Sequence, residues 1–70
     1  MFQVITDKEE YLCIRWKSGR YGDTYVETHL SKDKGKAKLF DTEKEANGYC
    51  KLYIKQHYNK QPNFKVVAVV

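Results

Sequence analysis

Cys13, His29, Cys50 and His57 form a complete zinc ligand set by type. Their spacing contains no local chelate pair such as C-x-x-C. The facing of the strands, derived below, also sets Cys13 and His29 against Cys50 and His57 across the sheet, so the expectation is no metal site and no cofactor. Cys13 and His29 are the nearest approach to a thiol–imidazole pair, in which a histidine activates a sulfur nucleophile. No orienting third group, oxyanion hole or cleft wall accompanies them, and seventy residues leave little material for a pocket. The glycine-bearing stretch "SGRYGD" (18–23) lacks both the G-K-[ST] ending and the following helix that a phosphate loop requires. It reads as a hairpin tip carrying an exposed cation, Arg20, beside an aromatic, Tyr21. The chain is therefore expected not to be an enzyme.

The elements that position these residues follow from periodicity. "FQVIT" (2–6) is a short β-rich run, and polar "DKEE" turns the chain. In "YLCIRWK" (11–17) the alternation places Leu12, Ile14 and Trp16 on one face and Tyr11, Cys13, Arg15 and Lys17 on the other. "TYVETHL" (24–30) alternates likewise, Val26, Thr28 and Leu30 against Tyr25, Glu27 and His29. If the first set of each strand faces a helix, Trp16 is expected in the core, and Cys13 cannot reach Cys50 to form a disulfide. "SKDKGKAK" is a lysine-rich loop leading to "LF", a candidate short strand. Thr42 with Glu45 three residues on is a capping box, which starts a helix running to about Tyr58. Pro62 and its neighbours stop it, and "FKVVAVV", apolar on both faces, predicts a central strand. The predicted fold is α+β: an antiparallel sheet of three to five strands with one helix packed on one face, in the order ββ(β)αβ, as a single domain over residues 1–70.

The helix "EKEANGYCKLYIKQHY" (43–58) poses a separate question. Ala46, Tyr49, Cys50, Tyr53, Ile54 and His57 share its apolar side, while Gly48 falls opposite, among Lys44, Lys51 and Lys55. A glycine there costs about 1 kcal/mol relative to alanine, and the core does not ask for it. On a basic stripe it would let another backbone or a phosphate come close.

The whole chain carries a net charge of +4, eleven of its thirteen cations being lysines and two arginines. This favours an anionic partner met through backbone or surface contacts rather than base readout. No apolar run suffices to cross a bilayer, the N-terminal residues lack a secretory pattern, and two widely spaced cysteines suit reduced thiols. The expectation is a cytoplasmic protein with no membrane partner.

"LFDTEKEANGYCKLYI", a strand ending in Phe-Asp-Thr and a helix opening with Glu-x-Glu-Ala, resembles a pattern met in small accessory proteins of bacteriophages and mobile elements, anti-CRISPR proteins among them. It covers about a quarter of the chain. The resemblance implies a non-enzymatic protein that modulates or inhibits a larger host or defence complex by occluding its surface. The partner is then a protein or nucleoprotein complex with an acidic surface, met by Lys44, Gly48, Lys51, Lys55, Arg20 and Tyr21. The alternative is a nucleic-acid-binding module, with lysines on phosphates and Tyr11, Arg15, Lys17, Tyr25 and His29 offering aromatic stacking on the helix-free sheet face. Self-association through the C-terminal strand is a third expectation, since Val67 and Val69 would otherwise sit on a wet face.

Overall fold

The computed structural model describes residues 1–58 and 61–69. Its order is β1 (Phe2–Thr6), β2 (Tyr11–Ser18), β3 (Thr24–Ser31), a short 3-10 turn (Lys34–Lys36), α1 (Glu43–Gln56) and β4 (Phe64–Ala68). The four strands form one antiparallel sheet ordered β3-β2-β1-β4, and α1 packs on one face. The α+β class and the chain order agree with the sequence reading, and the count of four falls within its range.

Local chemistry makes each junction. Between β1 and β2, Glu9 N–H donates to Thr6 C=O at 3.0 Å and Thr6 N–H to Glu10 C=O at 2.8 Å. Glu9 takes φ 60°, the left-handed position that a three-residue hairpin loop ordinarily gives to glycine. The β2–β3 loop closes with a bond from Gly19 N–H to Asp23 C=O, and Gly22 supplies the positive φ of 84°. At the helix start, Thr42 Oγ1 accepts Glu45 N–H at 3.1 Å, the capping bond expected from the sequence.

The core is Val4, Leu12, Phe40, Ala46, Cys50 and Tyr53, with Phe2, Leu30, Tyr49, Phe64 and Val66 packed around it. The "LF" segment is not a strand of its own but a wedge between two. Phe40 exchanges a pair of backbone bonds with Phe2, both 2.8 Å, while Lys38 N–H donates to Leu12 C=O at 3.1 Å. This ties β1 to β2 where their own ladder, registered at Ile5↔Tyr11, runs out.

Four expectations change. Among the described residues the C-terminal strand lies at an edge, bonded only to β1, although its sequence is apolar on both faces. Helix α1 ends at Gln56, so Tyr58 lies beyond it, and Ile54 is exposed rather than packed. Trp16 is 67% exposed. Its strand parity is as predicted, since it pairs with Val26 on the same side as Leu12 and Leu30. The last helical residue, however, reaches only the Val26–Thr28 stretch of β3, and Trp16 stands at the limit of its cover.

Candidate binding surface

The distal half of the β2–β3 hairpin is a two-stranded finger. Register runs from Tyr11↔Ser31 to Ser18↔Thr24, whereas β1 spans only Phe2–Thr6 and meets β2 at its opposite end. Two-stranded ribbons are marginal alone, and here the helix braces one. Gln56 Nε2 donates to Val26 C=O at 2.7 Å, while Gln56 Oε1 accepts Thr28 N–H at 2.9 Å and Thr28 Oγ1–H at 2.6 Å. His57 Nε2 meets Thr28 C=O at 2.9 Å. The side chain of Gln56 thus bonds the free edge of β3 as a neighbouring strand would.

Level with this brace and beyond it the finger exposes its aromatics: Trp16 opposite Val26, then Tyr25 at 48% and Tyr21 at 87%. Both arginines of the chain, Arg15 and Arg20, are exposed on the same hairpin. Trp16 belongs to the helix-side face and Tyr25 to the other, so the finger offers an aromatic on each side and Tyr21 at its tip. Reasoning from sequence selected Arg20, Tyr21, Arg15 and Tyr25 and missed Trp16. No sequence signal marked it, because the helix read to Tyr58 matches the strand in length; the folded elements do not match. Fourteen helical residues span about 21 Å, eight strand residues about 27 Å, so one end of the hairpin has to overhang.

The other candidates are placed as follows. Lys44, Gly48, Lys51 and Lys55 are all exposed on the outer face of α1, and an added Cβ at Gly48 would meet nothing within 4 Å. Tyr11, Arg15, Lys17, Tyr25 and His29 do share the helix-free face, as the register requires. That face is not uniformly open or basic. Lys17 Nζ is paired with Glu27 Oε2 at 2.9 Å, and Glu27 stands opposite Arg15. The hydrogen bond from Lys17, with its charge and those of Arg15 and His29 beside it, holds the Glu27 carboxyl below its ordinary range, so it stays anionic among the cations that would meet phosphate. At the other end Cys13 is buried, with the 3-10 turn near it.

Cys13 and His29 are direct cross-strand partners. The pair lacks the activation a nucleophile needs. Burial pushes the Cys13 thiol up, against a smaller opposing effect of Lys36, and its Sγ–H donates to Tyr11 C=O at 3.5 Å. Nδ1 of His29 is buried with no partner among the described residues. Cys50 lies in the core on the helix side, where burial also pushes its thiol up. Both cysteines are free, and among the described residues no three metal-ligating side chains come together.

An open cleft of about 630 Å³ lies where α1 ends, between the β1–β2 turn (Thr6, Asp7, Lys8, Glu10) and Gln61–Asn63. Three aromatic polar residues line it: Tyr53 and His57 stack at 4.4 Å and His57 Nε2 is bonded to Thr28 C=O, while Nδ1 of His29 has no partner among the described residues. Burial and the nearby Glu10 carboxylate push the Tyr53 hydroxyl up, away from acid–base work at neutral pH.

No helix among the described residues is long and apolar enough to cross a membrane. The chain matches no protein-family model, no curated protein and no solved structure.

Proposed function

We propose that this chain is a non-enzymatic binding protein that inserts the β2–β3 finger into a recess of a larger complex and modulates it by occupying that surface. The observation that carries the reading is Trp16, a large aromatic left two-thirds exposed on a projecting ribbon beside Arg15, Arg20 and Tyr21. Trp, Tyr and Arg are the residue types on which binding energy concentrates when they enter a desolvated pocket. Aromatics on both sides of the ribbon suit a recess that encloses it. The excess of cations on the finger and on the Lys44/Lys51/Lys55 stripe makes an acidic recess on a protein or nucleoprotein complex the fitting partner. An accessory protein of a phage or mobile element, the class the sequence resembles, would act in this way.

Nucleic acid is the second reading, favoured by Arg15, Lys17 and Tyr25 standing together on one face. Glu27 within that group, and Trp16 on the opposite side from Tyr25, make it a poor stacking platform.

The test is affinity capture from bacterial lysate with and without nuclease, comparing the parent with Trp16→Ala and Tyr21→Ala. A protein partner that survives nuclease and is lost with either variant is the expected result. Capture abolished by nuclease, with Lys17→Gln weakening binding and flattening its salt dependence by about 1 unit of slope, would transfer the function to nucleic acid. Capture indifferent to both aromatic variants would remove the finger from the account.

A further inference from the structure

The two edges of the sheet are treated differently. At β3, the outward N–H of Thr28 and the outward C=O groups of Val26 and Thr28 are taken by Gln56 and His57. At β4 no such partner is found among the described residues. Register shows which β4 groups face out. Val69 N–H donates to Met1 C=O at 2.7 Å, continuing the ladder that pairs Gln3 with Val67 and Ile5 with Lys65. Hydrogen-bonded and non-bonded pairs alternate, so Lys65, Val67 and Val69 turn their backbones to β1, while Phe64, Val66 and Ala68 turn theirs outward. The strand has no proline, its register is unbroken, and Lys65 is its one charge, so the usual devices that blunt an edge are nearly absent.

We propose that β4 pairs antiparallel with β4 of a second copy, about a two-fold axis at Val66, to make one continuous sheet. The spacing is self-complementary. The outward residues are centred on Val66, so the axis sets Val66 against Val66 and Phe64 against Ala68, and each outward N–H and C=O meets its counterpart. On the helix side a large side chain then faces a small one. On the opposite side Lys65 falls across from Val67 of the second copy, so no like charges are directly opposed despite the net charge of +4. Val67, itself half-buried, loses its remaining exposure. A five-residue strand pair buries less than the roughly 1,200 Å² of a stable interface, so the dimer is weak and concentration-dependent. It uses the edge away from the finger, so each dimer presents two fingers, at opposite ends of the joined sheet.

Analytical ultracentrifugation of the full chain across a wide concentration range tests this. The expected result is a mass that rises from 8.3 kDa towards twice that value. Val66→Pro removes an outward N–H, tolerated at an edge, and alters a side chain packed against the core; it leaves a monomer at every concentration. Val67→Lys sets the new cation against Lys65 of the second copy and weakens association at least tenfold. Adding Lys65→Glu to that variant restores it, since the introduced lysine then meets a glutamate across the axis. If Val66→Pro does not fold, as circular dichroism will show, the charge-exchange pair decides alone. A parent chain monomeric throughout, or a dimer unmoved by Val67→Lys, overturns the proposal. So does a monomer whose β4 edge takes up an extended segment of another protein.

Discussion

Gly48 stands on the open face of α1 with free space where a Cβ would be, so folding gives no reason for it. Gly48→Ala is expected to stabilise the chain by about 1 kcal/mol, or roughly 4–8 °C in Tm for a domain of this size, measured by thermal denaturation. A Tm unchanged or lowered would mean that the helix backbone at this point departs from regular geometry. If the same variant weakens partner capture, the glycine keeps the lysine stripe clear for a close approach. That residue was legible from sequence because helical periodicity alone separates the wet face from the packed one. Trp16 was only half legible: alternation assigned its side of the sheet, but exposure depends on where a separate element stops.

At the scale of elements, one side chain decides where the sheet ends. Gln56 reads in the sequence as another polar residue near a helix terminus. In the fold it satisfies the N–H and hydroxyl of buried Thr28 and the carbonyl of Val26. Gln56→Ala leaves buried polar groups of β3 unpaired and is expected to cost about 1–3 kcal/mol, with faster hydrogen exchange at the Thr28 amide. Exchange at Thr28 as slow as in the parent would show that packing, not the bridge, protects this edge. Strands, hairpin loop and the Thr42 N-cap were all legible because each rests on local periodicity or turn chemistry, although only the Thr42 half of the capping box is formed. The edge placement of β4 and the Phe40 wedge were not, because an apolar run reads alike whether another strand or a helix covers it. The candidate surface was legible in the same proportion: the tip at Arg20 and Tyr21 from its loop composition, the length of the finger only from the disposition of β1 and α1 around it.

On the alkaline side, the whole molecule responds through three buried acids. Burial raises the Cys13 and Cys50 thiols from 9.0 and the Tyr53 hydroxyl from 10.0, Glu10 adding to the latter. The folded chain therefore keeps these protons where the unfolded chain has begun to lose them. Their contribution is fully present below about pH 9 and falls as pH rises through the unfolded values. Urea midpoints should be level from pH 7 to about 8.5 and drop by pH 10.5. A midpoint that holds to pH 10.5 would mean that the three groups ionise as readily folded as unfolded.

The wedge at Phe40 has a consequence in time. The β2–β3 hairpin pairs residues close in sequence along its whole length, whereas β1 has local partners only at its turn, Thr6 with Glu10 and Ile5 with Tyr11, and is otherwise held by Phe40 and by Phe64–Ala68, from the middle and the far end of the chain. Closing long loops costs entropy before any contact repays it. The N-terminal strand should therefore latch last, after the hairpin and helix have met. In stopped-flow kinetics Ile14→Val should mainly slow folding, and Val66→Ala mainly speed unfolding; the reverse pattern would place β1 and β4 in the nucleus. On this order, transient openings of the native chain release β1 and β4 first and leave the aromatic ribbon formed, so capture of a partner through the finger outlasts partial unfolding of the rest.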